Sequence, residues 1–368
     1  WPFQPQQFYP QPLPQLLDLE STFTHDEINE AFMQMNPLAS PGPDGFGPLF
    51  YRKYWNLVKN HIFSFMTDFQ NLSAQTECLN RAHLILLPKI EEANTPGSYR
   101  PISLQNCPVK AAAKILTNRL NTLIPLLVHG NQTGFISGRC IVENFIYATD
   151  LIDSCHNRKA PNMVIKLDFS KAFGTLSWES LHSILHCRGF PPKFTAWIQD
   201  IFSIGKTTVM LNRLPGNWIN CKNGLRQGDP ISPYLFIIVA DLLQQMITQH
   251  CDARHLTHPL FTHLPPTVLQ YADDTLIIAK ASNDAAMQLK HILQNFAMAT
   301  GLTINYTKIT FVPMHVCPSV ADSIATTLQC TTSTFPQIYL GLPLAPTRLP
   351  PNAFLPIIKR CRKFLSAW

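Results

Sequence analysis

The segment LQYADDTLII, residues 269–278, places two adjacent aspartates in the middle of an apolar run. Its composition predicts a strand, a tight turn and a second strand, with Asp273 and Asp274 at the bend. An ionised carboxylate in an apolar setting is costly unless it is paired, protonated or bound to a metal. The pair therefore has two interpretations: turn acids that face water, or ligands of a cation.

A third aspartate has a similar setting. Asp168 ends the apolar part of NMVIKLDFS, residues 162–170, whose β-branched content predicts a strand. Two strand ends that each deliver carboxylate suggest one shared site for Mg²⁺ or Mn²⁺, because hard oxygen ligands suit these ions. Two such ions about 3.5–4 Å apart can stabilise the attacking and leaving oxygens of a phosphoryl displacement.

The composition is that of a globular protein, with 368 residues, 46% of them hydrophobic and 14% charged. This length allows one large core or two to three domains. The formal charge of +6 modestly favours an acidic partner such as nucleic acid. The ten cysteines have no metal-binding spacing, which favours reduced thiols in an intracellular protein. The longest apolar run, YLFIIVA, is too short to cross a bilayer, so no membrane partner is expected.

Helical and strand patterns alternate along the chain, which predicts an α+β or mixed α/β class. The Pro-rich residues 1–20 are expected to form an extended linker, and the first residue, Trp1, indicates a fragment. Helices are expected at STFTHDEINEAFMQMNPLA, at 109–127, from near Trp178, at SPYLFIIVADLLQQMI with Ser232 as N-cap, and at DAAMQLKHILQNFAMATG ended by Gly301. Further strands are expected at AHLILLPKI and LTINYTKITFV, and a hairpin at TTVMLN and GNWINCKN.

The ordered motifs resemble those of reverse transcriptases from non-LTR (LINE-type) retrotransposons, in the combination typical of plant elements. LQYADDTLII resembles their YxDD box, and VIKLDFSKAF resembles their first aspartate motif. GLRQGDPISPYLFIIVADLL is similar to their Gln-Gly motif, and LILLPK with YRPISL is similar to their fingers segment. GLTINYTKI resembles the fourth motif, and YLGLPL resembles the fifth. SPGPDGFGPLFY resembles the extra N-terminal loop, and NQTGFISGRCIVENFI a template-contacting segment. The resemblance covers residues 20–368.

The resemblance implies an α+β right-hand polymerase with fingers, palm and a partial thumb. It implies a linker at 1–20, an N-terminal extension at 21–75, fingers at 76–160, a palm with finger insertions at 161–335, and the primer-grip region with the start of the thumb at 336–368. The implied activity is that of an RNA-directed DNA polymerase, a nucleotidyltransferase that uses an RNA template, a DNA primer and dNTPs. An intracellular, nuclear location is expected, without an obligate protein partner.

In the palm, the resemblance implies that Asp168, Asp273 and Asp274 are catalytic. With the backbone carbonyl of Phe169, they would hold two magnesium ions, for which Mn²⁺ can substitute. The primer 3′-hydroxyl would attack the α-phosphate of a dNTP, and pyrophosphate would leave.

The implied dNTP contacts are Lys89, Arg100, Phe173, Gln227 and Gly228. Lys89 and Arg100 would clamp the triphosphate, and Phe173 would exclude a 2′-hydroxyl. Gln227 and Gly228 would contact the nucleotide or the template base. Each has a plainer alternative: surface charges for the two cations, a core aromatic for Phe173 and a helix-entry turn for the last two.

The remaining implied contacts are with primer and product. Tyr271 and Gly341 would lie at the primer end, and Lys308 would donate a proton to pyrophosphate. A hairpin aromatic and an exposed strand lysine are the alternatives for Tyr271 and Lys308. The basic tail Lys359, Arg360, Arg362 and Lys363 fits a thumb helix that tracks a phosphate backbone, or a solvated face.

One residue departs from the family pattern, because Gly174 stands where the family usually has an aspartate. The endonuclease and zinc knuckle of such elements are also not recognised in this chain. Two functions are therefore considered, an active polymerase and a catalytically inactive retrotransposon remnant that at most binds RNA. A group II intron-type maturase polymerase is disfavoured by SPGPDG and GRCIVENF.

Overall fold

The computed structural model describes residues 5–9, 11–250 and 256–366, so Trp1 lies outside the described residues. The α-helices are α1 His25–Met33, α2 Pro48–Lys53, α3 Trp55–Gln70, α4 Cys107–Asn121, α5 Ile124–Leu127, α6 Ile141–Asn157, α7 Ala172–Thr175, α8 Trp178–Cys187, α9 Pro192–Ser203, α10 Ser232–His250, α11 Asn283–Thr300, α12 Pro318–Leu328 and α13 Leu355–Leu365. The strands are β1 Arg81–Pro88, β2 Tyr99–Gln105, β3 Asn162–Leu167, β4 Lys206–Leu211, β5 Leu214–Pro215, β6 Ile219–Asn220, β7 Thr267–Tyr271, β8 Asp274–Lys280, β9 Thr310–Met314, β10 Thr331–Thr332, β11 Gln337–Tyr339 and β12 Leu342–Leu344. The predicted α+β class is confirmed.

The chain forms two compact units, each built from separate segments. We call Val128–Ala172 with Ala240–Trp368 the aspartate unit, and Phe3–Leu127 with Phe173–Val239 the N-terminal unit. The five-segment division expected from the sequence stays a prediction. None of the helices in the described part of the chain combines the length and the apolar character that crossing a bilayer requires.

A five-stranded sheet in the order β10-β9-β3-β8-β7 forms the centre of the aspartate unit. β3 pairs antiparallel with both β8 and β9, and β8 forms a hairpin with β7. Val164 on β3 and Leu276 on β8 pack in one core cluster with Ile152 of α6. Because β3 and β8 are buried along almost their whole length, their nearly continuous apolar runs are those of central strands.

Helix α11 illustrates how local sequence sets the ends of an element. The Ser282 hydroxyl accepts a hydrogen bond from the Ala285 amide at its start, and Gly301 adopts a left-handed conformation with φ +75° at its end. Leu289, Leu293 and Phe296 lie on its buried face. The predicted helix and its termination at Gly301 are confirmed.

The N-terminal unit contains a second five-stranded sheet in the order β2-β1-β4-β5, with β6 also paired to β4. β1 runs antiparallel to β2 and parallel to β4. The predicted hairpin after residue 206 is confirmed, since β4 pairs antiparallel with β5 and β6. Arg119 of α4 forms an ion pair of 2.7 Å with Glu27 of α1 and so ties these two helices together.

The expected extended linker at 1–20 is wrong for its described part. Residues 5–8 and 14–20 form two 3-10 helices, and Leu16 and Leu19 are fully buried. The Arg119 guanidinium also donates a hydrogen bond of 3.0 Å to the Leu19 carbonyl. Pro5 and Pro14 begin these two turns, and Leu16 and Leu19 of the second turn are buried in the protein interior.

Two helix predictions also need correction. The helix expected at 109–127 is interrupted between α4, which ends at Asn121, and α5, which begins at Ile124. Helix α10 is present as predicted, but the buried Ser232 hydroxyl has no hydrogen-bond partner among the described residues. The Asp229 carboxylate accepts from the Ile231 amide at 3.0 Å instead, so the acid outside the helix organises its start.

Candidate active site

The hairpin of β7 and β8 presents the two adjacent aspartates. Tyr271 pairs with Asp274, so Ala272 and Asp273 form a two-residue turn between the strands. Ala272 has φ +53°, a left-handed conformation that is uncommon for residues with a Cβ. Asp273 is exposed at the tip and Asp274 is half-buried as the first residue of β8. The predicted strand, turn and strand are confirmed.

The β3–β8 register places Asp168 at the same edge. The last pair is Leu167 with Thr275, so the next position sets Asp168 opposite Asp274. Opposed residues of antiparallel strands have Cα atoms about 4.5–5.5 Å apart. The Asp168 carbonyl accepts a hydrogen bond of 2.8 Å from the Asn305 amide, which fixes the backbone just beyond the strand.

The charges of the three aspartates act on one another. Although Asp273 is exposed at the tip of the turn, partial desolvation of its carboxyl group by the surrounding protein raises the pKa of Asp273, and the negative charges of Asp274 and Asp168 raise it further. A bound cation would offset this electrostatic repulsion between the carboxylates. The structure therefore brings together the three carboxylates that the sequence singled out.

The donor chemistry of this edge fits a hard divalent cation, since carboxylate oxygens are the preferred ligands of Mg²⁺. Within residues 5–9, 11–250 and 256–366, however, no three or more His, Cys, Asp or Glu side chains are arranged as a group that could hold a metal ion. The aspartates fit such an ion in charge and donor type, but they are neighbours rather than a closed ligand shell. The Phe169 side chain is buried against Phe296, with ring centroids 6.1 Å apart. Because a phenyl ring carries no oxygen ligand, only the backbone carbonyl of Phe169 is suited to binding a metal ion.

In the N-terminal unit, two of the residues predicted to contact dNTP line a cavity of about 160 Å³. Phe173 and Gln227 both line it, beside Gly174 and Ser103. The Phe173 ring is half-buried and stacks on Phe236, with centroids 5.0 Å apart and planes inclined by 16°. One side of Phe173 is thus held by packing within this unit.

The loop of Gln227 and Gly228 is bound to β2. The Ser103 amide donates a hydrogen bond of 2.8 Å to the Gln227 carbonyl. Gly228 has φ +103°, and a Cβ there would lie 3.1 Å from the Ser103 carbonyl oxygen, so only glycine fits without strain. Behind the loop, Asp229 accepts a hydrogen bond of 2.7 Å from Gln105, and burial raises the pKa of Asp229.

The two predicted triphosphate cations lie near one end of the β1–β2 hairpin. Arg100 pairs with Leu87, and Lys89 follows β1 directly. Both cations are exposed, and the Lys89 ammonium donates a hydrogen bond of 3.0 Å to the Gly97 carbonyl. The hairpin therefore brings the two charges into one neighbourhood.

Gly341 and Leu340 form the tight turn between β11 and β12, with φ +82° and +50°. A Cβ at position 341 would lie 3.8 Å from the Arg360 guanidinium, so one residue of the basic tail lies beside this turn. Tyr271, paired with Asp274, is half-buried at the start of the turn formed by Ala272 and Asp273.

Lys308 is exposed, but the strand expected at 302–312 is wrong at this position. Tyr306–Lys308 is a 3-10 turn, and the strand β9 begins only at Thr310. The Asn305 amide bonds to the Asp168 carbonyl, and Thr303 accepts a hydrogen bond of 2.8 Å from the Ser170 amide. These contacts take the preceding backbone away from the β9 ladder.

The sequence did not single out Gln132 and Asn144, two buried amides that bond to the β7–β8 hairpin. Both lie in the segment NQTGFISGRCIVENFI, which was assigned to template contact. The amide residue Gln132 close to the small residue Gly134 was the available signal, but its partner Ala272 lies far along the chain.

Comparison with known proteins gives a family match and several similar proteins. The family model described as "Reverse transcriptase (RNA-dependent DNA polymerase)" matches residues 87–344. Similar proteins include the "Transposon TX1 uncharacterized 149 kDa protein" of Xenopus laevis, 25% identical over 79% of this chain and 22% of that protein. The "Retrovirus-related Pol polyprotein from type-2 retrotransposable element R2DM" of Drosophila melanogaster is 26% identical over 78% of this chain and 26% of that protein. The R2 element polyprotein of Nasonia vitripennis is 25% identical over 76% of this chain and 26% of that protein. The chain thus spans about a quarter of the length of these relatives.

Proposed function

The chain belongs to the reverse transcriptase family, and on that premise we propose that it is an RNA-directed DNA polymerase, a nucleotidyltransferase that extends a primer 3′-hydroxyl with dNTPs along an RNA template. Enzymes of this family bind an RNA template and a primer and use divalent metal ions. The relatives are non-LTR retrotransposon polyproteins, which supports an origin in such an element. A nuclear location stays part of the proposal.

The convergence of Asp168, Asp273 and Asp274 at one sheet edge carries the proposal. These carboxylates and the Phe169 carbonyl would hold two Mg²⁺ ions, or Mn²⁺ as a substitute. Bound there, the ions would supply charge neutralisation at the attacking and leaving oxygens of an in-line displacement. The contribution of the chain is to hold the carboxylates in place, with Asp168 at a strand end and Asp273 on a tight turn.

The N-terminal unit supplies groups suited to nucleotide recognition. Arg100 and Lys89 offer fixed cations for a triphosphate, and the Arg100 fork can bind phosphate oxygens bidentately. Phe173 presents an aromatic wall in the same cavity as Gln227, which fits discrimination against a 2′-hydroxyl. These roles are proposed from the chemistry of each residue.

The primer end and the product would be handled by residues of the aspartate unit. Tyr271 precedes the catalytic turn, and the Gly341 turn with its neighbouring Arg360 fits the backbone of a primer strand. Lys308 is an exposed ammonium that can protonate the leaving pyrophosphate.

A catalytically inactive remnant is the second candidate function, and Gly174 is the observation that favours it. This residue replaces an acid that the family usually has directly after the aromatic residue at the position of Phe173. The three carboxylates that carry the first proposal are unchanged, so the first function remains the better supported.

Primer extension on poly(A)/oligo(dT) with Mg²⁺ separates the two candidates. The unmodified chain and the control Asp322→Asn, an exposed acid on α12, are expected to extend the primer. Asp273→Asn is expected to lower the rate by about 10²–10³-fold or more, since losing one electrostatic stabiliser typically costs this much. Equal rates in Asp273→Asn and the control would end the catalytic assignment. No extension by the unmodified chain with either Mg²⁺ or Mn²⁺ would favour the remnant.

A further inference from the structure

We infer that Gln132 is a positioning residue that, together with Asn144, fixes the turn carrying Asp273 and Asp274. This inference rests on the proposed function, because the turn matters for chemistry only if the aspartates are catalytic. Gln132 does not itself need to touch template, primer or nucleotide. It acts on the carboxylates through the backbone of Ala272.

The Gln132 side chain is bonded directly to the turn. Its Oε1 atom accepts hydrogen bonds of 2.9 Å from the Ala272 amide and 2.9 Å from the Gly134 amide. Its Nε2 group donates a longer bond of 3.4 Å to the Ala272 carbonyl. Both backbone groups of the residue with positive φ are thus held by one side chain, immediately before Asp273.

Burial makes these bonds hard to replace. Gln132 is 1% exposed, so water is excluded from its side-chain amide. If the acceptor were removed, the amides of Ala272 and Gly134 would lose their partner in a place where little water can substitute.

Asn144 holds the strand that leads into the turn. Its Nδ2 group donates bonds of 2.9 Å to the carbonyls of Gln270 and Asn131. The Gln270 amide donates to the Asn131 carbonyl at 3.0 Å, and the Thr133 amide donates to the Gln270 carbonyl at 3.0 Å. Residues 131–133 therefore lie beside β7 like a short additional strand.

Gly134 makes this close approach possible. A Cβ at position 134 would stand 2.5 Å from the Ala272 amide nitrogen and 3.1 Å from Gln132 Oε1. No side chain fits there unless the turn or the segment moves. The Arg139 guanidinium secures the segment, because it donates a bond of 2.8 Å to the Gln132 carbonyl and one of 2.7 Å to the His129 carbonyl.

The resemblance assigns the segment around Gln132 to template contact, but these two amide side chains are buried against the hairpin. A group that only positions the carboxylates is expected to affect the chemical step more than dNTP binding. A group that contacts template or nucleotide would affect the apparent affinity instead. The inference therefore predicts a fall in kcat with little change in the KM for dNTP.

Hydrogen exchange on the full chain tests the contact without depending on activity. Gln132→Met keeps the side-chain length but removes the strong acceptor, so the Ala272 amide is expected to exchange about tenfold faster or more. Gln132→Glu keeps an acceptor oxygen and is expected to restore slow exchange. The matched control is Gln244→Met, because Gln244 is a buried amide (3% exposed) of the same unit that bonds to Thr248. Exchange at the unmodified rate in Gln132→Met would overturn the inference.

Steady-state primer extension provides the second measurement. Gln132→Met is expected to lower kcat by about tenfold, with the dNTP KM within about twofold of the unmodified chain, while Gln244→Met keeps both. A raised KM with unchanged kcat would overturn the positioning role and indicate a substrate contact. If the unmodified chain has no activity, the proposed function fails, and hydrogen exchange still decides whether Gln132 holds the turn.

Gly134→Ala provides a second variant if Gln132→Met does not fold. It keeps the Gln132 amide but introduces the Cβ that would approach the Ala272 nitrogen. Faster exchange at Ala272 in this variant supports the inference. Exchange at the unmodified rate would show that the segment and the turn are not coupled, which overturns it.

Discussion

Replacing Asp273 by Asn is expected to stabilise the metal-free protein while it abolishes polymerase activity. The reason is that partial desolvation of the Asp273 carboxyl group, together with the negative charges of Asp274 and Asp168, raises the pKa of Asp273. A neutral amide of the same shape removes this repulsion. Sites that concentrate charge for catalysis commonly reduce stability in this way.

The magnitude follows from the closeness of the three aspartates, since Asp273 adjoins Asp274 in the chain and Asp168 lies opposite Asp274. Two unit charges about 5 Å apart repel by about 0.8 kcal/mol in water and by about 3 kcal/mol at an effective dielectric constant near 20. Because Asp273 is exposed at the tip of the turn, the screened end of this range applies, and we expect a gain of about 1 kcal/mol. This corresponds to a rise in Tm of about 2–4 °C for a unit of 150–250 residues.

The pH dependence has a definite sign. Since the folded-state pKa of Asp273 is raised, the folded protein binds more protons than the unfolded chain at pH values between the two pKa values of this group. Stability associated with this group is fully present below the ordinary pKa of aspartate and is lost as the pH rises through the folded-state pKa. The advantage of Asp273→Asn should therefore be complete at pH 8 and should shrink as the pH falls toward the acidic range.

Thermal unfolding at pH 8 provides the assay, in EDTA and in Mg²⁺, with Asp322→Asn as the control. In EDTA, Asp273→Asn should unfold above the unmodified chain. A ligand at ten times its Kd adds about 1.4 kcal/mol to a protein that binds it, so Mg²⁺ should stabilise the unmodified chain more than the variant. An EDTA Tm of Asp273→Asn equal to or below that of the control, or identical Mg²⁺ responses, would refute the electrostatic reasoning.

Three further predictions concern the N-terminal unit and a buried histidine. Phe173→Ala should raise ribonucleotide incorporation by about tenfold or more, because the proposed barrier to a 2′-hydroxyl is removed; an unchanged dNTP/NTP ratio contradicts this role. Arg100→Ala should raise the dNTP KM by about tenfold or more through loss of a charged hydrogen bond, and an unchanged KM in steady-state kinetics removes Arg100 from the site. Burial lowers the pKa of His258, whose ring nitrogen accepts a bond of 3.1 Å from the Leu260 amide, so stability should fall as the pH drops below about 6.5. His258→Asn should flatten this part of a Tm-against-pH curve, while the exposed-residue control His61→Asn should not; equal slopes exclude His258.

The sequence predicts elements well where the deciding information is local. The β7–β8 hairpin and its aspartates follow from two apolar runs separated by a two-residue turn. Helix α11 follows from a Ser282 cap, regular apolar spacing and a terminal Gly301. Asp168 could be placed because it ends an apolar strand, although only the pairing of β3 with β8 shows that it meets Asp274.

The errors arise where distant contacts outweigh local preference. The Asp229 carboxylate, rather than the expected Ser232 hydroxyl, bonds to the backbone just before α10, at the Ile231 amide, and it is itself held by Gln105, which lies on β2. Asn305 leaves the expected strand because its amide bonds to the Asp168 carbonyl. Gln132 lies 140 residues from Ala272 along the chain, so no local pattern indicates that contact.

Gly174 decides less about activity than its departure from the family pattern suggests. The surrounding turn is held by backbone bonds that need no acid, because the Leu225 amide donates to the Phe173 carbonyl at 2.6 Å and the Gly224 amide donates to the Leu176 carbonyl at 2.8 Å. A Cβ at position 224 would lie 2.8 Å from the Gly174 carbonyl, so the two backbone segments already pack closely. Gly174 is exposed and does not have positive φ, so its backbone conformation is one that an aspartate can adopt.

Restoring the acid with Gly174→Asp is therefore expected to change kcat in primer extension by less than about threefold, far less than Asp273→Asn changes it. Gly174→Asn provides the matched control, because it adds a side chain of the same size without the charge. A gain of about a hundredfold in Gly174→Asp but not in Gly174→Asn would show that the carboxylate takes part in catalysis. The chain would then be an impaired polymerase whose defect lies at this position, with the carboxylates at 168, 273 and 274 intact.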